Sequence, residues 1–537
     1  MYHTFIRMSN PARGGEDGGT VIQVRSIMKT FKQDPNTHSE AGSNTPNKTY
    51  YITTSIPYAN AGPHIGHILD PLIADVLARY HRIRGYDVRF LVGTDEHGAK
   101  IVRTAEALGQ TPQTLVDENA EKYRKFHRLL HLSADDFIRT SDQKRHWPGA
   151  QKMWRTLAAS GDIYRKKYRG LYCVGHEAFI TEKDLVNGVC ADHQKAPEAV
   201  EEENWFFKLS KYSATIGEKI RGGKFMVIPN GKKNEILALI ERGLEDVSFS
   251  RPSKDLSWGV PVPDDPSQTM YVWCDALVNY ISAIGYGHED VASGELFKKW
   301  WPAHTQVIGK DNLRFHAAIW PGMLLSAGLP LPKTLLVHGF VNVDGAKISK
   351  TVGNVIMPET IIETYGVDPV RYYFLREFPS QEDGDFSYAK FEERYNGDLA
   401  NGIGNLVSRV STLGERIGRA AFNFKNDVSP DTVTACTETF GNYERHMQAF
   451  RLNEALADVW QLIGTADRFI NEKKPWTEKD PAVFEKTIQE AAYFVSAIAN
   501  FLSPFLPETA EKIRANIEFT NGRLAIKKSG SLFPRLG

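Results

Sequence analysis

Residues 50–80 combine a short strand, a loop with two histidines and an amphipathic helix, and this unit constrains the fold more than any other stretch. Residues 50–54 are rich in aromatic and β-branched side chains, which is typical of a buried strand. Apolar side chains then recur at helical spacing and predict a helix that begins near Pro63. These apolar positions are Ile68, Leu72, Ile73, Val76, Leu77 and Tyr80.

The loop before this helix places two imidazoles, His64 and His67, one turn apart at a helix N-terminus. The unpaired N–H groups and partial positive charge at that end of a helix suit a phosphate group. Gly66 lets a phosphate or a flat ring approach the backbone closely. For this motif alone, two helix-capping histidines are the simpler explanation, so a functional interpretation depends on partners elsewhere in the chain.

Strand and helix patterns continue to alternate after this unit. Residues 88–93 predict a second strand, and Asp95 follows directly after it; residues 114–130 and 146–160 predict helices. This alternation predicts an α/β fold with a parallel, Rossmann-like sheet, whose ligands lie at the carboxyl ends of the strands. Further strands are predicted at 270–273, 306–309 and 334–338.

A chain of 537 residues is too long for one hydrophobic core, so several domains are expected. Short strands punctuated by glycine indicate an insertion into the α/β domain, and two apolar stripes beyond Tyr395 indicate a separate helical bundle. One stripe contains Phe450, Ala455, Leu456, Val459, Trp460 and Ile463. The predicted divisions are a disordered tail at 1–47, the two halves of the catalytic domain at 48–165 and 252–344, the insertion at 166–251, a loop-bearing region at 345–394 and the helical domain at 395–537.

The composition excludes several classes of protein. Lys plus Arg and Asp plus Glu both number 65, so net charge provides no general attraction to nucleic acid, and any RNA-binding surface must be local. Four cysteines are too few for a disulfide framework in a chain of this length. Since no apolar run approaches the length of a membrane span, we expect a soluble, cytoplasmic protein.

Two Cys-x2-His pairs lie in the predicted insertion, Cys173 with His176 and Cys190 with His193. Thiolate and imidazole ligands at this spacing fit one tetrahedral structural zinc ion. The alternative is a pair of knuckles that no longer binds a metal.

Lys347, Ser349 and Lys350 follow the last predicted strand of the α/β region. Two ammonium groups on a mobile loop can close over a polyphosphate, although such a motif alone is more often a solvated surface turn. Together with His64 and His67, the lysines suit attack on the α-phosphorus of ATP, because negative charge builds on the phosphate oxygens and on the departing pyrophosphate.

The pairing of HIGH at 64–67 with KISKT at 347–351 resembles that of the class I aminoacyl-tRNA synthetases. The resemblance runs from about Thr49 to the C-terminus, and the other motifs narrow it to the methionyl-tRNA synthetase family. These motifs are, in chain order, SIPYANAGPHIGH, GTDEHG, YVWCDALVNY, IGKDNLRFH and NEKKPW. The chain departs from the family at Ile348 and Thr351, where Met and Ser are usual, and at His176, where bacterial members usually have Cys.

The resemblance implies a methionine pocket, an ATP site and an anticodon site. The methionine pocket would contain Ile56, Tyr58, Asp95, Arg251, Trp273, Ala276, Tyr280, Asn312, His316 and Trp320. The ATP site would contain His64, Gly66, His67, Asp70, Lys347, Ser349 and Lys350, with Mg²⁺ accompanying the nucleotide. The anticodon site would contain Asn405, Arg409 and Trp476.

Several of these residues also have simpler interpretations. Asp95 would hold the substrate ammonium group, with Arg251 beside it, but the first could be a helix cap and the second a surface arginine. Trp273 and Trp320 could be core aromatics. Trp476 follows Pro475 and two lysines, which suits stacking on an unpaired RNA base, yet a helix-end packing role is common for such a residue.

The implied reaction joins methionine to ATP and then transfers the methionyl group to the 3′ end of methionine tRNA. His64, His67 and Lys350 would stabilise the transition state, Lys347 would grip pyrophosphate, and Asp70 would orient the ribose or a magnesium-bound water.

Three other functions compete with this interpretation. A simple nucleotidyltransferase would lack the helical domain with its tryptophan, and a non-catalytic tRNA-binding relative would not need both catalytic motifs. Synthetases for leucine, isoleucine or valine carry a larger editing insertion. Because no further dimerising segment follows the helical domain, we expect a monomer.

Overall fold

The computed structural model describes residues 48–173, 178–180, 185–191, 194–348 and 353–537. Its centre is a six-stranded sheet in which every neighbouring pair is parallel. In spatial order the strands are Asp136–Arg139, Asp87–Thr94, Thr49–Thr54, Thr305–Gly309, Thr334–His338 and Met226–Ile228. The predicted parallel α/β sheet is therefore confirmed, and four of its strands lie within a residue or so of their predicted bounds.

The sheet is buried on both faces, as expected for parallel strands. Ile52 pairs with Phe90 on one side and with Thr305 on the other, and all three side chains are buried. Strand order reverses between Thr49–Thr54 and Thr305–Gly309, because the chain first builds outward on one side of Thr49–Thr54 and later on the other. Such a switch point opens a crevice at the carboxyl ends of the two strands, where α/β proteins bind ligands.

The region predicted as an insertion divides between two sheets. A four-stranded antiparallel sheet begins at Ile163, slightly before the predicted boundary at 166, and its strands are Val247–Ser248, Glu198–Phe207, Ile163–Cys173 and Ala178–Ile180. Met226–Ile228, however, pairs in parallel with Thr334–His338 and so belongs to the central sheet. One strand within the predicted insertion thus extends the edge of the central sheet.

The predicted strand at 270–273 is wrong in its second half. Gln268–Met270 is a strand, but it pairs antiparallel with Ser250–Pro252 and not with the central sheet. Val272–Ala276 is a short helix that carries Trp273. A short apolar run does not distinguish a buried strand from a buried helix, and here tertiary packing favours the helix.

The helix after the first strand also begins later than predicted. Ile65–His67 forms a 3₁₀ turn, and the α-helix runs over Leu69–Ile83. The two histidines therefore lie in the turn that precedes the helix rather than in its first turn.

Long helices occupy most of the chain after residue 395, as predicted. The stripe residues Ala455, Leu456, Val459 and Ile463 are all buried. The prediction of helices alone is incomplete, because a three-stranded antiparallel sheet joins this region. Its strands are Arg419–Ala421, Arg523–Ile526 and Ile517–Thr520.

A buried ion pair ties the first helix to this C-terminal part. The guanidinium of Arg371, fully buried, lies 2.7 Å from the carboxylate of Asp75 and donates to the backbone carbonyls of Leu130, Pro504 and Phe505. Because removing either charge would leave the other buried and unpaired, this contact holds the two parts in one arrangement.

The remaining α-helices follow in chain order. They are Ala99–Ala107, Pro112–Leu129, Trp147–Ala159, Ser213–Arg221, Asn230–Glu241, Asn279–Ser282, Val291–Trp300, Trp320–Ser326, Pro358–Tyr365, Val367–Arg376, Tyr388–Arg394, Asn405–Gly414, Phe424–Asp427, Pro430–Gln448, Leu452–Lys473, Pro481–Leu502 and Pro507–Asn516. Phe315–Ile319 and Tyr395–Gly404 are π-helical, and Leu209–Tyr212, Lys310–Asn312 and Pro475–Thr477 are 3₁₀ turns. Short strands lie at Leu185–Val186, Val189–Cys190, Val341–Val343, Ala346–Lys347 and Gly384–Phe386. In the part of the chain that the structure describes, no helix combines the length and apolarity needed to cross a membrane.

Candidate active site

A cleft of about 880 Å³ opens at the switch point of the central sheet. The loops after Thr49–Thr54, Asp87–Thr94, Thr305–Gly309 and Thr334–His338 all contribute to it. Ten predicted site residues line this one cleft, namely Ile56, Tyr58, His64, Gly66, His67, Asp70, Asp95, Trp273, Asn312 and Lys347. Ile348, which follows Lys347 in KISKT, lines it as well. Residues far apart in sequence thus meet where the fold predicts a ligand.

The two imidazoles are held by the backbone of their own turn. Nδ1 of His64 accepts from the amide of Gly66 at 3.1 Å, and Nδ1 of His67 accepts from the amide of His64 at 3.2 Å. A neutral imidazole whose Nδ1 accepts must carry its proton on Nε2. Each ring therefore carries its proton on Nε2, which in His67 lies 3.5 Å from the hydroxyl of Tyr123.

His67 is neutral because of its surroundings. Burial and, to a smaller extent, the nearby His64 ring, with its centroid 4.0 Å away, lower its pKa to about 3. At neutral pH this side chain can offer a hydrogen bond to a phosphate oxygen without bringing a full charge.

Gly66 allows the lysine-containing loop to approach the histidines. A Cβ at this position would lie 2.7 Å from the ring of His64 and 3.3 Å from the side chain of Ile348. The HIGH turn and the start of KISKT are therefore in contact, and Lys347 lines the same cleft. Ser349 and Lys350 lie outside the described residues.

Asp70 lies deeper in the cleft and has two partners. Its carboxylate contacts the hydroxyl of Ser55 and the ring of His338. Burial raises the pKa of Asp70, while His338 and Ser55 act in the opposite direction. Asp70 is not an exposed acid on the surface of its helix, because its side chain is mostly buried.

Asp95 is anchored by backbone pairing at the carboxyl end of its strand. Its amide donates to the carbonyl of Pro57 at 2.9 Å, and its carbonyl accepts from the amide of Ala59 at 2.8 Å. The side chain is buried, lines the cleft and lies 3.5 Å from the hydroxyl of Thr140. It does not cap a helix, since the next helix begins at Ala99 after the cap residue Gly98.

Aromatic rings form one wall beside Asp95. Trp273 stacks on Phe315 with ring centroids 3.6 Å apart, and Tyr58 meets Trp273 edge-on at 6.3 Å. All three rings line the cleft. Such rings give polarizable contacts to a thioether, each contributing on the order of 1 kcal/mol.

Other predicted pocket residues lie outside the surface of the cleft. Tyr280 and Trp320 belong to the hydrophobic core against which Tyr58, Trp273 and Phe315 pack, and Trp320 has no exposed surface. These two residues can shape the wall but do not form its surface in this conformation.

His316 and Ala276 are also buried and absent from the lining of the cleft. The ring of His316 lies 2.7 Å from the hydroxyl of Tyr280 and 3.0 Å from the carbonyl of Asn312. Burial lowers the pKa of His316 to about 4, so this ring is neutral and bridges the core to the cleft residue Asn312.

Arg251 is not among the residues that line the cleft. Its guanidinium donates to the hydroxyl of Ser248 and the carbonyl of Ser250, and it lies over the rings of Tyr172 and Tyr271. The surface interpretation is also wrong, because the side chain is buried. Arg251 therefore supports the junction of the antiparallel sheet and does not line the cleft.

Several cleft residues were not predicted as site residues. Lys100, Tyr123, His127, Lys310, Asp311 and His338 line it as well. His338 ends a predicted strand and Asp311 follows another, so the rule that singled out Asp95 would have found both. Tyr123 and His127 lie on a helix, where nothing in the local pattern marks them.

The two cysteines of the predicted metal site are both buried. Cys173 ends a strand of the antiparallel sheet, and Cys190 ends the small hairpin of Leu185–Val186 and Val189–Cys190. His176 and His193 lie outside the described residues. Among the residues that are described, no group of three or more metal-binding side chains occurs.

The three residues predicted to bind the anticodon all lie in the helical part of the chain. Asn405 and Arg409 lie one turn apart on Asn405–Gly414, and the guanidinium of Arg409 lies 5.2 Å from the ring centre of Trp476. Arg409 also donates to the side chain of Asn471 at 2.8 Å and lies 3.7 Å from Asp467. Trp476 remains 48% exposed, which leaves a ring face open to solvent.

Comparison with known proteins agrees with this arrangement. The family model described as class I tRNA synthetases (M) matches residues 50–191 and 180–411, and the model for the anticodon binding domain of methionyl tRNA ligase matches residues 427–531. A methionine–tRNA ligase of Thermotoga maritima is 40% identical over 485 residues, covering 88% of this chain and 75% of the relative. One from Brucella suis is 39% identical over 478 residues, covering 86% and 90%.

Solved structures show the same likeness. The methionyl-tRNA synthetase of Mycobacterium tuberculosis in complex with methionyl-adenylate superposes with a TM-score of 0.85 at 34% identity, covering 91% of this chain and all of that one. Its apo form superposes with a TM-score of 0.79 at 32% identity. The matched family models, the curated relatives and the shared fold place this chain in the methionyl-tRNA synthetase family of class I aminoacyl-tRNA synthetases.

Proposed function

We propose that this chain is a methionine–tRNA ligase that activates methionine with ATP and transfers the methionyl group to the 3′ end of methionine tRNA. The observation that carries this proposal is the convergence of the HIGH turn, the start of KISKT, Asp95 and Trp273 on one cleft. Each of the two substrates then has groups of suitable chemistry within the same cavity.

Methionine binds with its ammonium group at Asp95 and its side chain against Tyr58 and Trp273. A buried carboxylate is a strong partner for an ammonium ion because little water competes for either charge. Ile56 and Asn312 complete the accessible wall. Ala276, Tyr280, His316 and Trp320 support this wall from within the core, and their direct contact with methionine requires a change in the aromatic side chains.

The substrate carboxylate is the nucleophile of the first step. One of its oxygens attacks the α-phosphorus of ATP, the bond from that phosphorus to the bridging oxygen breaks, and pyrophosphate leaves. His64 and His67 donate from Nε2 to the phosphate oxygens as charge develops there, and Lys347 and Lys350 stabilise the departing pyrophosphate. No side-chain nucleophile is required.

Asp70 orients the nucleotide. Ser55 and His338 fix its carboxylate from two sides, so it can hold the ribose or a water bound to Mg²⁺. Mg²⁺ accompanying ATP supplies further positive charge to the phosphates. In the second step a hydroxyl of the terminal adenosine of tRNA attacks the carbonyl carbon of the adenylate, and AMP leaves.

A second site, the far site, consists of Asn405, Arg409 and Trp476 and reads the anticodon. Trp476 offers an exposed ring for stacking of an unpaired base, and Asn405 and Arg409 offer hydrogen-bond donors to its edge. The contact between Arg409 and Trp476 supports their action as one unit.

We further propose the domain division predicted from sequence, with residues 48–165 and 252–344 as catalytic halves, 345–394 as the loop-bearing region and 395–537 as the helical anticodon domain. The pairing of Met226–Ile228 with the central sheet favours an inserted domain made mainly of the antiparallel strands within 163–207.

The inserted strands carry a structural zinc site. Two buried thiols and two imidazoles are a suitable ligand set for tetrahedral Zn²⁺, and the burial of Cys173 and Cys190 is what such a site requires. Purified, untagged protein should contain about one zinc per chain. Occupancy far below one half that added zinc does not raise would contradict this assignment.

The function is tested by amino-acid-dependent exchange of pyrophosphate into ATP with each of the twenty standard amino acids. We expect strong exchange with methionine alone, because the aromatic wall fits an unbranched thioether. Comparable exchange with leucine or cysteine would contradict the proposal. Sedimentation of the same preparation tests the accompanying expectation of a monomer.

A further inference from the structure

A buried carboxylate lies beside the methionine wall but outside the cleft. Asp275 belongs to the short helix Val272–Ala276, two residues after Trp273, and its side chain is fully buried. A carboxylate removed from water is costly unless donors surround it. The donors around Asp275 therefore indicate which parts of the molecule it holds together.

Each oxygen of Asp275 has a histidine partner. Oδ2 lies 2.5 Å from Nδ1 of His97, and Oδ1 lies 2.6 Å from Nε2 of His146. Nδ1 of His146 lies 2.8 Å from the hydroxyl of Ser282. All four side chains are buried. Burial alone would raise the pKa of Asp275, but the two histidines lower it to about 2, so the carboxylate is ionised and accepts from both rings.

These contacts join three separate segments. His97 lies two residues after Asp95, in the loop at the carboxyl end of Asp87–Thr94. His146 directly precedes the helix Trp147–Ala159. Asp275 lies on the helix that carries Trp273. The carboxylate thus links the loop that bears the proposed ammonium partner to the helix that bears the aromatic wall.

We propose that Asp275 is a positioning residue for methionine, because its bonds to His97 and His146 fix the separation between Asp95 and Trp273. This inference rests on the proposed function. Asp95 holds one end of the amino acid and Trp273 contacts the other, so their separation sets the length of side chain that fits. Asp275 itself does not line the cleft and acts only through the helix.

Asp275→Asn tests the proposal, because the amide keeps the shape but directs an N–H group at one of the two donating rings. We expect the KM for methionine in pyrophosphate exchange to rise about tenfold or more. The kcat at saturating methionine and the KM for ATP should stay within about threefold, since the ATP groups lie on other segments. The preference in kcat/KM for methionine over norleucine, its isostere without sulfur, should fall.

Asp458→Asn is the matched control. Asp458 is also buried and lies 2.7 Å from Nδ1 of His446, but both belong to the C-terminal helices. The same chemical change there should leave the KM for methionine unaltered. Ser282→Ala removes only the outermost contact and should raise that KM less than Asp275→Asn does. If Asp275→Asn fails to fold, His146→Gln and Ser282→Ala carry the test with the same readouts.

If Asp275→Asn folds and its KM for methionine stays within twofold of the wild-type value, the proposal is overturned. The same result for His146→Gln would overturn it if Asp275→Asn does not fold. An equal rise in the KM for ATP would also overturn it, because it would indicate general damage to the cleft. Absence of methionine-dependent exchange in the wild-type protein would instead refute the proposed function on which the inference rests.

Discussion

The proposed catalytic cleft and the proposed anticodon site around Arg409 and Trp476 differ in how their side chains are held and in how far they are exposed. In the cleft His67 and Asp70 are partly buried, the ring of His67 accepts from a backbone amide, and desolvation lowers the pKa of His67 and raises that of Asp70. At the far site the exposed ring of Trp476 is in contact with the guanidinium of Arg409. Preorganised buried groups act on charge that develops during a reaction, whereas an exposed aromatic surface binds a base that is already formed. The two sites should therefore fail separately.

The largest effect is expected from Lys350→Ala. If Lys350 acts on charge that develops in the transition state, kcat for exchange should fall on the order of a hundredfold or more. The KM for methionine should change little, because the lysine-containing loop does not form the aromatic wall. Lys512→Ala, which alters an exposed lysine of the C-terminal helices, is the control. A large change in the KM for methionine with a normal kcat would show that the assigned role is wrong.

A smaller loss of activity is expected from substitutions of His67, which test whether this side chain acts as a neutral hydrogen-bond donor or as a charge. Because His67 is neutral, with a pKa of about 3, His67→Gln should keep a donor and retain more activity than His67→Ala. We expect His67→Ala to reduce kcat by about one hundredfold and His67→Gln by about tenfold. The measurement is pyrophosphate exchange at saturating methionine and ATP. Equal losses in the two variants would argue that shape, not donation, is what matters.

Trp476→Ala should affect only the far site. Loss of a stacking surface costs roughly 1–3 kcal/mol per base, so aminoacylation of tRNA should fall at least about tenfold. Methionine-dependent exchange should remain near normal, because Trp476 does not line the cleft. Trp476→Phe, which keeps an aromatic face, should recover part of the charging activity. If exchange falls as much as charging, the tryptophan is a structural residue.

The smallest expected effect is on the pH dependence of the free energy of unfolding. Burial lowers the pKa of His67 and His127 to about 3 and of His81, His304 and His316 to about 4. Below pH 6.5 the unfolded chain binds protons at these histidines while the folded chain does not. The free energy of unfolding should therefore decrease as pH falls from about 6.5 to about 4.

Urea unfolding at several pH values measures this dependence. His81 stacks on Tyr50 at 3.5 Å, so His81→Phe keeps a ring in place but removes one titrating group. The pH dependence of this variant should be less steep than that of the wild type. An unchanged slope would mean that His81 does not contribute.

Much of the central sheet could be predicted because strand and helix periods differ and polar residues follow the strand ends. Short patterns predict structure poorly. A strand was predicted at 270–273, but residues 272–276 form a helix. The small C-terminal sheet was not predicted because its strands have only three or four residues each. The predicted residues of the HIGH turn and Asp95 line the cleft, whereas Ala276, Tyr280, His316 and Trp320 are buried behind its surface and Arg251 does not line it. The cluster around Asp275 joins residues 129 and 178 positions apart, and no local pattern reports such a contact.

The central claim, that one site makes the adenylate and the other reads the tRNA, is tested most directly by a two-by-two measurement. Wild type and Trp476→Ala are each assayed for kcat/KM in charging methionine tRNA and a copy with one altered anticodon base. We predict a strong preference of the wild type for the natural anticodon and a much weaker preference of the variant, with equal exchange activity in both proteins. An undiminished preference in Trp476→Ala would contradict the account, because the anticodon would then be read elsewhere.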